Sequence, residues 1–292
     1  MPNIITKRPL NPTVTLMELD CPEIARKAQP GQFVMVRPDE RGERIPLTIA
    51  DYDPVRGTVT IMYQRVGVTT QKLDLLQAGE DVLDVVGPLG NPTEVEGATR
   101  AMVIGGGVGS AIAYPQAKGL HAAGVPVDVI IGFRTKELVF LEGSFRRCCD
   151  NLYITTDDGT YGEQGFVSNK LSELLADGQR YDLVVAIGPV PMMRSVAQVT
   201  QPYGIRTLVS LNPLMVDGTG MCGCCRVRVG GQTKFACVDG PDFDGHQVDY
   251  DELTIRNSVY RDQENQAKQA HACNLQALAD QARKGGEQVC RT

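Results

Sequence analysis

The stretch that most restricts the fold is Ala101-Met-Val-Ile104 followed at once by Gly105-Gly-Gly107-Val-Gly109-Ser110. An unbroken apolar run of this kind reads as a strand covered on both faces, and glycines directly after it make a tight turn into a helix. That helix is expected to run through Leu120. Further apolar strands are expected at Val127-Asp-Val-Ile-Ile131, Leu152-Tyr-Ile-Thr155 and Leu183-Val-Val-Ala-Ile187, with helical segments between them. Strands alternating with helices predict a parallel, doubly wound α/β sheet over residues 98–210.

Open sheets of this class bind ligands at the carboxyl ends of their strands. Three glycine-rich or polar strand ends meet there. They are the run containing Gly105, Gly106, Gly107 and Gly109, then Thr155-Thr-Asp157-Asp158-Gly159, and the turn Ile187-Gly188-Pro189-Val-Pro191. Together they suit a dinucleotide. Alone, the first departs from G-x-G-x-x-G, because Ser110 stands at the third glycine position, and it is equally a structural turn. Met192 and Met193 read as helix packing. Arg134 and Lys136 follow the second strand, where a base can meet a 2′-phosphate, and Asp128 lies within that strand.

Residues 1–97 have a different texture. Short β-rich runs such as Thr13-Val-Thr-Leu-Met-Glu-Leu19, Gln32-Phe-Val-Met-Val-Arg37 and Thr58-Val-Thr-Ile-Met-Tyr63 alternate with Pro and Gly, which predicts a small antiparallel barrel. Arg44-Ile-Pro46-Leu47-Thr48 sets a cation and a hydroxyl close together at a strand start. Gly67-Val-Thr69-Thr70 opens an expected helix, Gln71 to Gln77, whose small-residue N-terminus is a ready anion site. The plain alternative is an exposed Arg and a capped surface helix.

The third feature is Asp217-Gly-Thr-Gly-Met-Cys222-Gly-Cys224-Cys225, with Cys237 eleven intervening residues later. Nine cysteines, an odd number with adjacent pairs at 148–149 and 224–225, do not read as an export disulfide framework. Iron–sulfur spacing of the form Cys-x4-Cys-x2-Cys…Cys places Asp217 where the first cysteine belongs. Gly218, Gly220 and Gly223 allow amides to turn toward the sulfurs, and Cys224 is expected to point away. A zinc knuckle is the competing reading, and Asp217 is equally a turn residue.

A net charge of −6 argues against nucleic acid as partner. No apolar run approaches a membrane span and no leader is evident at Met1, so the chain is expected to be soluble and cytoplasmic.

The phrases Arg44-Ile-Pro-Leu-Thr-Ile-Ala-Asp51, Gly87-Pro-Leu-Gly90, Thr155-Thr-Asp-Asp-Gly159 and Asp217-Gly-Thr-Gly-Met-Cys222-Gly-Cys-Cys225 give the chain a resemblance to the ferredoxin–NADP reductase superfamily. It resembles the branch containing the electron-transfer subunit of dihydroorotate dehydrogenase B. Within that branch it is most similar to the small subunits of electron-bifurcating NADH-dependent ferredoxin:NADP oxidoreductases, also described as sulfide dehydrogenase small subunits. The aspartate at the first cluster position carries that last distinction.

The resemblance covers about residues 1–250 and implies three units: an FAD-binding barrel over 1–97, an NAD(H)-binding α/β domain over 98–210 and a [2Fe–2S] domain over 211–250; the remainder, 251–292, departs from the family and is expected as a helical extension. It implies flavin contacts from Arg44, Thr48, Gly67 and Thr69, with Pro46, Leu47 and Thr70 beside them. Arg44 sits one residue further out than the superfamily motif has it, and Leu47 replaces an aromatic. For the nucleotide it implies Gly105, Gly106, Gly107, Gly109, Arg134, Asp157, Asp158, Gly188 and Pro189; the family's cysteine before Gly-Pro is Ile187 here. For the cluster it implies Asp217, Cys222, Cys225 and Cys237.

By the same resemblance the chain passes electrons between NAD(H) and a larger partner that carries FAD and [4Fe–4S] clusters, with ferredoxin reached through that partner. A dihydroorotate dehydrogenase subunit and a redox-sensing or zinc-stabilised module are the alternatives. No side chain is expected to act as a general acid or base. Cys21, Cys148 and Cys149 read as packing or surface thiols, and no role is assigned to His121, His246 or His271. Residues 262–292 read as a polar helix ending at Gly285-Gly286, with Cys273 and Cys290 making no ligand set.

Overall fold

The computed structural model describes residues 1–40 and 42–270. Its first part is an antiparallel barrel of six strands: β1 (Ile4–Pro9), β2 (Val14–Asp20), β3 (Phe33–Arg37), β4 (Ile45–Asp53), β5 (Thr58–Gln64) and β6 (Asp84–Leu89). Their order is β1-β2-β5-β4-β3-β6. Alternation explains it: Val59, Ile61 and Tyr63 of β5 point into the same core as Met17, Leu19, Val34, Val36 and Ile49.

Two short helices pack on the barrel, α1 (Pro22–Ala25) and α2 (Val68–Leu75). The second starts three residues before the expected Gln71 and stops before Gln77. Its β-branched opening looks extended in sequence. The Thr70 hydroxyl, however, accepts from the Gly67 and Val66 amides and donates to the Gly67 carbonyl, closing the first turn early.

The second part is the parallel sheet of β7 (Ala101–Gly106), β8 (Val127–Phe133), β9 (Asn151–Thr156), β10 (Glu163–Gln164), β11 (Leu183–Ile187) and β12 (Arg206–Ser210), ordered β10-β9-β8-β7-β11-β12. Alternate residues of β7 and β11 serve its two faces. Val103 and Val185 meet the α3 (Gly109–Ala122) side, where the short α4 (Glu142–Phe145) also packs. Met102, Ile104 and Val184 meet α5 (Val167–Ala176) and α6 (Val190–Thr200). Helices on both faces are what doubly wound predicts.

Past β12 the chain forms a hairpin of β13 (Arg226–Val229) and β14 (Gln232–Phe235). Then β15 (Asp242–Asp244) adds an antiparallel edge to β12, and α7 (Tyr250–Ser258) follows with Asp249 as its cap. The cysteine-bearing segment therefore hangs on the α/β sheet. It also reaches the barrel, because Phe33 and Met35 of β3 share one core with Cys225, Ala236 and Cys237.

Residues 261–270 are helical. His271, Cys273, Cys290 and the expected end at Gly285-Gly286 lie outside the described residues. Among the described residues no helix is long and apolar enough to cross a membrane.

Candidate functional site

At the carboxyl edge of the parallel sheet, the glycines after β7 interlock with the turn after β11. A methyl group on Gly109 would collide with the Ile187 carbonyl, and one on Gly106 with Met192 and Pro189. Gly105 lies against Ser110, where an added carbon would stand 2.7 Å from the Ser110 Cα. Gly107 differs: its φ is +56° and nothing lies where its side chain would be. Met193 is fully buried and Met192 packs on Gly106 and Gly188, as helix packing requires. The loop thus presents bare backbone with room beside it. Buried there without a partner is the Ser110 hydroxyl, at the start of a helix that has no side-chain cap. Thr155 Oγ1, at the end of β9, is a second buried and unpartnered hydroxyl. A glycine cradle at a helix N-terminus and two unsatisfied hydroxyls fit a phosphate-bearing nucleotide.

Around this edge Arg134, Asp157 and Asp158 are exposed. Thr160 donates twice to Asp158, which holds its carboxyl below the usual range. Lys136 lies over the Tyr161 ring, 5.5 Å from its centroid, and the Tyr161 hydroxyl donates to Glu142. Asp128 sits at the other end of β8. Its buried carboxylate accepts from Asn151, Tyr181 and Arg100 at 2.8, 2.8 and 3.1 Å, so it braces the strands far from the nucleotide edge.

On the barrel, Pro46, Leu47 and Thr48 lie half-buried on β4 opposite β3. Arg44 is exposed and 3.6 Å from Asp84. The adjacent β5 leads through Arg65 and Val66 to Gly67, beside which a side chain would find open space, its nearest neighbour being Thr70 Oγ1 at 4.0 Å. Thr69 is buried beneath α2, and the Thr70 hydroxyl is occupied by the cap. Two stretches of the barrel, β4 and the start of α2, thus lie on neighbouring strands and offer a cation and a helix N-terminus.

Contacts that the sequence did not reveal tie the parts together. Lys118 of α3 pairs with Asp51 of β4 at 2.6 Å. Thr93 accepts from Gln116 and donates to Asp242, joining the linker, α3 and β15.

In the third region, Gly218, Gly220 and Gly223 all have positive φ, and only glycine adopts that backbone readily. Asp217 organises the turn: its carboxylate accepts from the Thr219 hydroxyl and amide and from the Cys222 amide at 2.8 Å. These bonds, those of Thr219 foremost, hold the acid well below the usual carboxylate range. Cys225 and Cys237 are buried with their sulfurs 3.2 Å apart. Burial and the neighbouring thiol raise Cys237, while the Gly220 amide donates toward its sulfur. Cys222 is exposed, and Cys224 is only half-buried.

Among the described residues, no three or more His, Cys, Asp or Glu side chains converge closely enough to enclose a metal ion. The structure gathers two of the four expected ligands. It leaves Cys222 facing out and Asp217 bonded to backbone, all within one loop. Donor chemistry nevertheless fits iron: cysteine sulfurs in and beside a glycine turn, an amide directed at one of them, and a carboxylate already ionised. Elsewhere Cys21 is buried, which pushes its thiol up to about 11, and Cys148 is buried beside the half-buried Cys149, in keeping with packing thiols.

Residues 212–249 match the iron–sulfur cluster binding domain of dihydroorotate dehydrogenase B. A protein of Thermotoga maritima, described as a homologue of the dihydroorotate dehydrogenase B (NAD(+)) electron transfer subunit, is 47% identical over 83% of this chain and 86% of its own length. A protein from the adh 3′ region of Clostridium beijerinckii is 48% identical over 92% of this chain and 93% of its own. A solved structure of an NADH-dependent reduced ferredoxin–NADP oxidoreductase, studied for flavin-based electron bifurcation, superposes with a TM-score of 0.87 at 43% identity, covering 92% of this chain and 97% of that one. With its barrel, its nucleotide-type sheet and its cysteine loop, the chain belongs to the family of dihydroorotate dehydrogenase B electron-transfer subunits and their homologues.

Proposed function

We propose that this chain is the electron-transfer subunit of an electron-bifurcating NADH-dependent ferredoxin:NADP oxidoreductase. In this reading the barrel holds FAD, the α/β sheet holds NAD(H), and Asp217, Cys222, Cys225 and Cys237 hold a [2Fe–2S] cluster. A larger partner with its own FAD and [4Fe–4S] clusters exchanges electrons with it and reaches ferredoxin. The observation that carries this is the shared core: Met35 of the barrel and the cysteine loop touch, since a carbon added to Gly218 would lie 2.7 Å from Met35 Cγ. A flavin region and an iron–sulfur loop in contact within one chain suit a relay better than two unrelated binding modules.

When bound, FAD would supply a two-electron hydride acceptor and the cluster a one-electron carrier, which together would let paired electrons leave one at a time. The protein's own part is placement. Interlocked glycines at 106 and 109 keep side chains away from the nucleotide edge, and the α3 N-terminus turns the positive end of its dipole toward phosphate, with the unpartnered Ser110 hydroxyl beside it. Lys118 and Asp51 link the two cofactor-bearing parts. Asp217 keeps its loop turned by holding the Thr219 and Cys222 amides, and as a ligand it would be a harder donor than thiolate.

The matched cluster domain keeps a second reading in view, a dihydroorotate dehydrogenase subunit. Asp217 at the first ligand position favours the bifurcating enzyme by resemblance. Anaerobically purified protein is expected to show flavin and iron–sulfur absorption that bleaches with NADH. A colourless zinc-containing protein sinks the electron-transfer reading, and orotate-dependent turnover with the co-purified partner transfers it to the second enzyme.

A further inference from the structure

We infer that Asp74 is a positioning residue for the flavin nucleotide, acting through α2; this rests on the reading that the barrel holds FAD. Asp74 is the penultimate residue of α2, at the end where the helix dipole disfavours an acid. Its surroundings offset that. Lys7 of β1 lies 3.7 Å from the carboxylate and donates to the carbonyls of Asp74 and Leu76. Thr15 of β2 and Tyr63 of β5 donate to Oδ1 at 2.7 and 3.3 Å. Arg65 reaches Oδ2 at 3.3 Å. Three barrel strands and one arginine converge on a single acid, and the Asp74 side chain is only 20% exposed.

The place of Arg65 gives the cluster its meaning. It stands two residues before Gly67, so the Arg65–Asp74 pair closes the segment 65–74 into a ring, with the start of α2 held inside it. Leu73, fully buried, seats the helix from below. The turn Val66-Gly67 is therefore fixed from both sides, by the end of β5 and by the far end of its own helix. That turn and the first amides of α2 are the barrel's helix-terminal anion site, the part suited to the phosphates of FAD.

The test uses the full chain stripped of flavin and retitrated with FAD, comparing wild type with Asp74→Asn, Asp74→Ala, Arg65→Met and the Arg65→Met/Asp74→Asn double variant. Melting of each flavin-free protein is recorded alongside. Asp74→Asn preserves shape and is expected to weaken FAD about tenfold at a temperature where it is folded, as loss of a charge-assisted bond predicts. Arg65→Met is expected to weaken FAD similarly, and the double variant no more than either single one. Should Asp74→Ala fail to fold, the isosteric variant carries the comparison. Lowered melting with FAD affinity within about twofold of wild type marks a brace only and overturns the inference. Additive losses in the double variant overturn the ring. A wild-type chain that takes up no FAD instead removes the flavin reading on which the inference rests.

Discussion

Two glycine-rich loops in this chain look alike in sequence and are built on opposite principles. In Gly105–Gly109, Gly106 and Gly109 are compelled by closeness: an added carbon would enter Met192 or the Ile187 carbonyl. In 217–223, the glycines are compelled by backbone angle, with φ of +81°, +88° and +67°, and a carboxylate ties the turn together. The first loop is fixed by its neighbours, while the second is tied by its own hydrogen bonds and also packs Gly218 against Met35. A loop held from outside is expected to be rigid before its ligand arrives. One held by its own hydrogen bonds can let Cys222 face out and still close around a ligand.

Gly109→Ala is the severest test of that contrast. The Ile187–Gly188 backbone against Gly109 cannot yield, so a loss of about 3 kcal/mol is expected, together with loss of NADH binding, read by melting and by titration. Gly218→Ala comes next. Its left-handed φ and the contact with Met35 predict about 2 kcal/mol, with iron lost and FAD retained. If NADH binding falls along with iron, the two loops are not independently built. Asp217→Ala removes the acceptor for three donors in an exposed turn, and about 1 kcal/mol is expected, with reduced iron retention. Asp217→Cys is expected to keep iron and change the cluster's midpoint potential; an unchanged redox titration removes the aspartate from the ligand set. Gly107→Ala should be mildest among the glycines, at about 1 kcal/mol or less, because its φ of +56° is strained but nothing obstructs the new methyl. A fall in NADH affinity with an unchanged melting point would show that the open space beside it is used by the nucleotide.

Elements that signal themselves through burial were plain from sequence. The strand at Ala101 was legible because all six residues of β7 are buried, which leaves no polar alternation to confuse it. The cysteine loop stood out by spacing. Less visible were features set by contact rather than composition. Arg226–Val229 alternates charge with valine over only four residues, too short to mark one arm of a hairpin. The start of α2 was misplaced because Val68-Thr69-Thr70 favours strand, and only the Thr70 hydroxyl folding back on Gly67 makes it helical. From sequence Asp128 could be placed only within its strand; its register beside Asn151 puts it at the end opposite the nucleotide edge. For the site, residue types could be named in advance. What spacing could not give was that Asp217 serves its own backbone, or that Asp74 gathers three strands.

The core common to Phe33, Met35, Cys225 and Cys237 has a bearing on how such a chain can be divided. A fragment ended near residue 211 would leave two barrel side chains wet and strip β12 of its outer neighbour. Folding of the cysteine loop and closure of the barrel wall would then be one event, and a chain cut there would lose its iron site and loosen its barrel together.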